Sequence, residues 1–141
     1  MDSKRIFVTG ACGYKGTVLV PKLLSLGYQV TAFDIMWFGN YLMPHPNLTV
    51  SQGDIREADK LDLRGYDAII HLSSVANDPC SDLDPLLTWE ISCLATMRLA
   101  DQATLLHRTI PQSSRLVIEP HPGALRLRIF DRYPSHLRPS L

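Results

Sequence analysis

The sequence predicts an α/β fold built on a doubly wound parallel sheet, and two observations support this. Short apolar, β-branched runs alternate with segments of helical spacing, in the order strand, helix, strand, strand, strand, helix. The run at 68–72 is apolar enough to lie in the centre of a parallel sheet. Right-handed connections between such strands place helices on both faces of the sheet.

Each element follows from a local pattern. We expect strands at 5–10, 29–34, 48–51 and 68–72, and helices at 15–26, 57–63 and 84–103. Leu19, Leu23 and Leu26 recur at helical spacing before Gly27, a residue typical of the position after a helix. Asp84 and Pro85 suit the N-cap and the first position of the last helix.

Charge divides the chain of 141 residues near position 103. Residues 1–103 hold eight Lys and Arg against twelve Asp and Glu, whereas residues 104–141 hold six Arg against two acids. We therefore expect a half-domain at 1–103 and an irregular basic tail at 104–141, rich in Pro and Arg. The tail resembles translation in a shifted reading frame, although Arg115–Glu119 has strand character and is a candidate fifth strand.

Composition also predicts which partners are absent. No apolar run approaches the roughly 20 residues of a membrane span, and the polar start does not resemble a signal peptide, so we expect a cytoplasmic protein. The odd cysteine count, without metal-ligand spacing, argues against disulfides and a metal site. The scattered arginines of the tail form no nucleic-acid-binding module. The three cysteines are Cys12, Cys80 and Cys93.

A glycine motif follows the first strand and opens the first helix. It reads Thr-Gly-Ala-Cys-Gly-Tyr-Lys-Gly from position 9 to 16, the context that a dinucleotide fingerprint requires. Gly10 permits the tight turn, Gly13 lets the backbone approach a pyrophosphate, and Gly16 lets the helix lie close to the sheet. The phosphates then meet amides at the positive end of the helix dipole. Cys12 at this helix end has either a lowered thiol pKa or only a small side chain.

Acidic residues follow the second and third strands. Asp34 stands 18 residues after Gly16, where a carboxylate binds the adenosine ribose hydroxyls and repels a 2′-phosphate, which favours NAD over NADP. The alternative is a solvated aspartate at the end of a strand. Asp54 either reaches the adenine amino group, with Ile55 over the ring, or caps the short helix. His71 is interpreted as a packed strand histidine rather than a catalyst.

These motifs together resemble the extended short-chain dehydrogenase/reductase family, and within it the NAD-dependent epimerase/dehydratases of the UDP-glucose 4-epimerase type. The similarity covers about Lys4 to Ala103 and includes the glycine motif, the acid at 34, Gly-Asp-Ile-Arg at 53–56 and Asp-Ala-Ile-Ile-His-Leu at 67–72. The resemblance implies a Rossmann-type fold, bound NAD and a nucleotide-sugar substrate. It implies these cofactor-binding residues: Gly10, Gly13, Tyr14, Lys15, Gly16, Asp34, Asp54, Ile55, Leu72, Ser73 and Ser74. Ser92 stands where the family often has asparagine.

The family's catalytic pair, Tyr-x-x-x-Lys, has no counterpart here. No tyrosine is followed four residues later by lysine, and all four lysines lie at or before Lys60. We therefore predict no catalytic residue, and we interpret the chain as the NAD-binding portion of a truncated epimerase or dehydratase that is incompetent alone. A non-catalytic NAD(H)-binding module and a poorly folded gene product are the alternatives.

Overall fold

The computed structural model describes residues 3–75, 83–108, 115–121 and 124–130, with side chains as far as residue 105. One sheet of six strands is present, in the order β3-β2-β1-β4-β6-β5. Strands β1 to β4 pair in parallel, as predicted. The strands are β1 (Arg5–Thr9), β2 (Gln29–Asp34), β3 (Leu48–Gln52), β4 (Ala68–His71), β5 (Arg115–His121) and β6 (Ala124–Phe130).

The helices lie close to their predicted positions, with two differences. Helix α1 spans Gly16–Ser25. The short helix is a 3₁₀ helix at Ile55–Lys60, earlier than predicted, because the Asp54 side chain accepts a hydrogen bond from the Arg56 amide and starts it there. The last helical region comprises α2 (Pro85–Trp89), a π-helical turn (Glu90–Leu94) and α3 (Ala95–Arg108).

Two apolar clusters cover opposite faces of the parallel sheet, as a doubly wound fold requires. Val8 of β1 packs in one cluster with Val20 and Leu24 of α1. Phe7, the preceding residue, packs in the other cluster with Leu99 of α3. Neighbouring residues of a strand point to opposite faces, so β1 is covered on both sides and lies at the centre of the fold.

Two segments of the tail, Arg115–His121 and Ala124–Phe130, are strands, whereas we expected an irregular segment. Strands β5 and β6 form an antiparallel hairpin, and β6 rather than Arg115–Glu119 lies beside β4, to which it is antiparallel. The alternation of Leu125, Leu127 and Ile129 with Arg126 and Arg128 is typical of a strand with one apolar face. Pro120 lacks an amide donor, which suits β5 to the edge of the sheet.

No helix within the described ranges is long and apolar enough to cross a membrane.

Candidate functional site

The loop between β1 and α1 passes so close to the end of β4 that its first glycine has no room for a side chain. Gly10 has a φ of +66°, and a Cβ there would lie 2.6 Å from the amide nitrogen of Ser73 and 2.7 Å from the carbonyl carbon of Leu72. Both neighbours are backbone atoms, which cannot swing away as a flexible side chain can. Gly10 is therefore required by the fold itself.

The other two glycines of the motif have different surroundings. A Cβ on Gly16 would overlap the backbone of Ala11, including its Cα at 2.6 Å. We expected Gly16 to bring the helix near the sheet, but its close neighbour is the preceding loop, because α1 starts by folding back over Ala11. A Cβ on Gly13 would meet only the carbonyl oxygen of Gly10, at 3.3 Å, so the protein leaves the space in front of Gly13 nearly empty.

The start of α1 has no side-chain cap, and its first turn contains no acidic residue. The Thr17 and Val18 amides donate to the Gly13 and Lys15 carbonyls, so these two amides are satisfied within the backbone. The positive end of the dipole of this ten-residue helix is thus not neutralised by an acid of its first turn, and it attracts an anion. Together with the open space at Gly13, this arrangement fits a phosphate group.

Asp34 connects the glycine loop to the loop that follows β2. Its Oδ2 accepts a hydrogen bond of 2.9 Å from the Cys12 amide, and its Oδ1 accepts one of 2.7 Å from the Met36 amide. A carboxylate has about four lone-pair positions, so two remain for a ligand hydroxyl pair. Both carboxylate oxygens of Asp34 have protein partners, so the alternative of a solvated aspartate at the end of a strand is wrong.

One groove runs along the carboxyl ends of the parallel strands and collects most of the predicted site residues. Eight of the eleven line it: Gly10, Gly13, Asp34, Asp54, Ile55, Leu72, Ser73 and Ser74. The carboxyl ends of parallel strands meet at one edge of the sheet, which brings these separate motifs together. Tyr14, Lys15 and Gly16 do not line the groove; Tyr14 is 93% exposed, and Gly16 is buried against Ala11.

The sequence reasoning missed part of the groove wall. Additional lining residues are Cys12, Ile35, Trp37, Phe38, Gly39, Gly53, Val75 and Ile91. Most are apolar, and apolar residues in loops have no periodicity from which to predict them. A usable signal was present at Trp37 and Phe38, since these two large aromatic residues follow Asp34 by three and four positions in a segment predicted as a loop.

Asp54 caps the 3₁₀ helix and also binds an arginine. Its Oδ1 accepts from the Arg56 amide at 2.9 Å, and its Oδ2 accepts from the Arg56 Nε and Nη2 at 2.9 and 2.6 Å. These bonds from Arg56 hold the pKa of Asp54 below its usual value. Arg56 also reaches Glu90 of the π-helical turn at 3.3 Å. The capping alternative is thus confirmed, and Asp54 also faces the groove.

His71 is buried in a chain of directed hydrogen bonds, which confirms its interpretation as a packed histidine. Thr96 Oγ1 donates to the Ser92 carbonyl, so it accepts from His71 Nε2 at 2.9 Å. His71 Nδ1 then accepts from Thr9 Oγ1 at 2.6 Å, and Thr9 Oγ1 accepts from the Leu72 amide. Burial lowers the pKa of His71 to about 4, so the ring is neutral at pH 7.

Ser92 holds the loop that follows β4. Its Oγ lies 3.0 Å from Ser74 Oγ and accepts a hydrogen bond of 3.3 Å from the Val75 amide. The π-helical turn that carries Ser92 therefore supports one wall of the groove. Such turns are frequent at functional sites.

The alternative of a lowered thiol pKa at Cys12 is wrong. Burial, followed by the negative charge of Asp34, raises the pKa of this thiol. The effect of the helix end is outweighed because the thiol is desolvated and lies beside a carboxylate. Cys12 and Cys93 are free cysteines, and Cys80 lies outside the described residues.

Comparison with known proteins gives a family match over most of the chain. The model of the NAD dependent epimerase/dehydratase family matches residues 6–118. UDP-glucuronic acid decarboxylase 1 of Danio rerio is 29% identical over 103 residues, which are 70% of this chain and 24% of that protein. A 3 beta-hydroxysteroid dehydrogenase/Delta 5-->4-isomerase of Mycobacterium tuberculosis is 40% identical over 73 residues, 50% of this chain and 19% of that protein.

A solved structure agrees with the fold. The Bordetella bronchiseptica enzyme WbmF in complex with NAD⁺ superimposes with a TM-score of 0.64 and 28% sequence identity, covering 71% of this chain and 32% of WbmF. The chain thus spans less than a third of the length of each of these proteins. The Rossmann-type fold expected from the sequence is confirmed, and NAD is the cofactor of the matching family.

Proposed function

This chain belongs to the NAD dependent epimerase/dehydratase family, and we propose that its groove is the NAD-binding portion of a nucleotide-sugar epimerase or dehydratase. The observation that carries the proposal is the pairing of an open space at Gly13 with a carboxylate at Asp34. The open space at Gly13 suits a pyrophosphate, and the carboxylate of Asp34 suits a ribose. The Cys12 amide, which precedes Gly13, donates a hydrogen bond to Asp34 and so connects the two features.

Each part of the cofactor has matching residues in this proposal. The glycine motif from Gly10 to Gly16, with Tyr14 and Lys15 between, holds the phosphates at the start of α1. Asp34 binds the adenosine ribose and repels a 2′-phosphate, which makes NAD the preferred cofactor over NADP. The remaining predicted contacts are Asp54 and Ile55 at the adenine, and Leu72, Ser73 and Ser74 along the other half of the cofactor.

Bound NAD supplies a hydride acceptor, and the chain's own residues position it. Thr9, His71 and Thr96 fix the ends of β1 and β4 through their hydrogen bonds, so the backbone under the groove is held rigidly. His71 stays neutral and buried, and therefore takes no part in proton transfer at pH 7. In this proposal the groove binds and orients the cofactor, and its carboxylates Asp34 and Asp54 have binding rather than catalytic roles.

We propose that the 141-residue chain by itself does not turn over a sugar nucleotide. The family-type reaction needs a group that takes the substrate hydroxyl proton, and this sequence contains no Tyr-x-x-x-Lys. The named relatives include a sugar-nucleotide protein and a steroid protein. We favour the sugar-nucleotide class because the match to that relative extends over the longer stretch of this chain.

A titration of the purified chain with NAD, followed by isothermal calorimetry, tests the proposal. We expect saturable binding at one site and weaker binding of NADP. Gly13→Val should abolish binding without unfolding the chain, because the new side chain fills only the space kept for the phosphates. Gly27→Ala, at the far end of α1, is the control and should bind NAD normally.

The titration also separates the alternatives. A folded chain that shows no saturable NAD binding would refute both the enzyme portion and the non-catalytic NAD(H) module. Binding without turnover of UDP-glucose or UDP-glucuronic acid agrees with the proposal, and turnover by the chain alone contradicts it. Lack of cooperative unfolding would indicate the poorly folded product instead.

We further propose that NAD binding resides in residues 1–103 and that the protein acts in the cytoplasm. Every groove residue named above precedes position 103. Free Cys12 and Cys93 support a reducing compartment. Localisation of a tagged full chain by fractionation tests the second part.

A further inference from the structure

A short turn after β2 places two large aromatic side chains at the groove without covering them. Trp37 is 55% exposed and Phe38 is 82% exposed, yet both line the groove, as Ile55 does. Exposed aromatic side chains forgo the burial that normally stabilises them. A pair of them at the rim of a groove indicates a surface that a ligand covers.

The turn is held in an unusual backbone conformation. Met36 has a φ of +61°, and no other non-glycine residue in the described ranges has a positive φ. Gly39 follows with a φ of +90° and donates its amide to the Met36 carbonyl at 3.0 Å, which closes the turn around Trp37 and Phe38. A strained residue persists only where its surroundings fix it.

Asp34 is the group that fixes this turn. Its Oδ1 accepts the Met36 amide at 2.7 Å, while its Oδ2 accepts the Cys12 amide of the glycine loop. The same carboxylate therefore orients the aromatic turn and faces the groove. A ligand hydroxyl bound by Asp34 would therefore enter the groove that the aromatic pair also lines.

The position of the turn in the sheet indicates which half of a dinucleotide it meets. The strand order places β2 and β3 on one side of β1 and β4 on the other. Trp37 and Phe38 follow β2, and Gly53 and Ile55 follow β3, so they enclose the same end of the groove. On the proposed placement of the ribose at Asp34, this end takes the adjoining base.

We propose that the turn Met36–Gly39 is a base-stacking element, in which Trp37 and Phe38 cover the adenine face of the bound dinucleotide. This inference rests on the proposed NAD function and assigns to it two residues outside the glycine and acid motifs. An aromatic side chain can stack on any nucleobase, because every base has a π face. Asp34 then couples ribose recognition to placement of the rings.

Trp37 itself reports on the contact. The chain has two tryptophans, so Trp89→Phe leaves Trp37 as the only indole. In that variant we expect saturable fluorescence quenching by NAD, AMP and ADP-ribose, and no quenching by nicotinamide mononucleotide at matched absorbance. Trp37→Ala should weaken NAD binding about fivefold or more, since stacking is worth roughly 1–3 kcal/mol per base. Trp37→Phe should restore most of it.

Tyr41→Ala provides the matched control, because Tyr41 is an exposed aromatic of the same loop that does not line the groove. It should leave NAD affinity unchanged. Calorimetric NAD binding that is unaltered in Trp37→Ala, with no quenching of Trp37, overturns the stacking element alone. Absence of NAD binding to the wild-type chain overturns the proposed function as well, so the two failures are distinguishable.

Discussion

Gly10 and Gly13 of the motif should respond differently to alanine, because a Cβ meets backbone atoms at one position and nearly open space at the other. In Gly10→Ala the left-handed φ costs about 1–2 kcal/mol. The new Cβ, at 2.6 Å from Ser73 N, adds an overpacking cost of about 1–3 kcal/mol. A loss of roughly 2–5 kcal/mol is a large part of the 5–15 kcal/mol typical of a domain.

Gly13→Ala should leave the free energy of unfolding within about 1 kcal/mol of wild type. The position has no positive φ, and its only close neighbour is the Gly10 carbonyl oxygen at 3.3 Å. A Gly→Ala change at a permissive position stabilises by about 0.4–1 kcal/mol, which offsets the tight contact. The new Cβ should nevertheless push the phosphate away from the backbone amides and lower NAD affinity roughly tenfold to a hundredfold, which corresponds to the loss of about one charge-assisted hydrogen bond.

Urea unfolding followed by far-UV circular dichroism measures the first quantity, and calorimetric titration with NAD measures the second. Gly27→Ala is the control, because its φ of +84° penalises alanine while nothing lies within 4 Å of the new Cβ. It should lose stability and keep NAD affinity. Equal destabilisation by Gly10→Ala and Gly13→Ala, or unchanged NAD affinity in Gly13→Ala, would refute the reasoning.

Three further predictions concern the charged and titratable groups around the groove. His71 is neutral in the fold, with a pKa of about 4 against 6.5 in the unfolded chain. The unfolded chain therefore binds more protons, and the free energy of unfolding falls by up to about 3 kcal/mol as the pH drops from 6.5 to 4. Urea unfolding midpoints measured against pH should show this loss, and the His71→Gln variant should lack it. Asp34→Ala should reduce the ratio of NAD affinity to NADP affinity in competition titrations. Asp34→Asn keeps one acceptor oxygen and should give an intermediate ratio. Asp54→Ala removes the cap of the 3₁₀ helix and the Arg56 contact, and should lower stability by about 0.5–2 kcal/mol in urea unfolding.

Each of these predictions has a contradicting result. If His71→Gln lost as much stability between pH 6.5 and 4 as the wild type, another group would be binding those protons. An unchanged NAD to NADP ratio in Asp34→Ala would remove the ribose role. Asp62→Ala is the control for Asp54, since it breaks an exposed pair with Arg64 at the same sequence spacing. Equal losses from both aspartates would contradict a special role for the cap.

The sheet and the position of the groove were predictable because both depend on periodic patterns. Alternation along β1 sends Val8 and Phe7 to opposite apolar clusters, which is the property that makes a sheet doubly wound. Since parallel strands end at a common edge, Asp34 and Asp54 could be placed together from sequence alone.

Other features depend on contacts between distant segments. The pKa of the Cys12 thiol is raised first by burial and then by Asp34, 22 residues away, so the helix end alone gave the wrong direction. The aromatic turn has no periodicity, and its shape follows from the Met36 amide binding a carboxylate. Either β5 or β6 could have paired with the free edge of β4, and β6 does so. The local sequence pattern of each strand does not determine which of the two pairs there.

Amide chemical shifts during NAD titration of the ¹⁵N-labelled full chain test the central claim most directly. The account predicts saturable shifts concentrated at the loop between β1 and α1 and at the ends of β2 and β4, with the Gly13 amide among the largest. Shifts confined to other surfaces, or none at millimolar NAD in a folded sample, would contradict it.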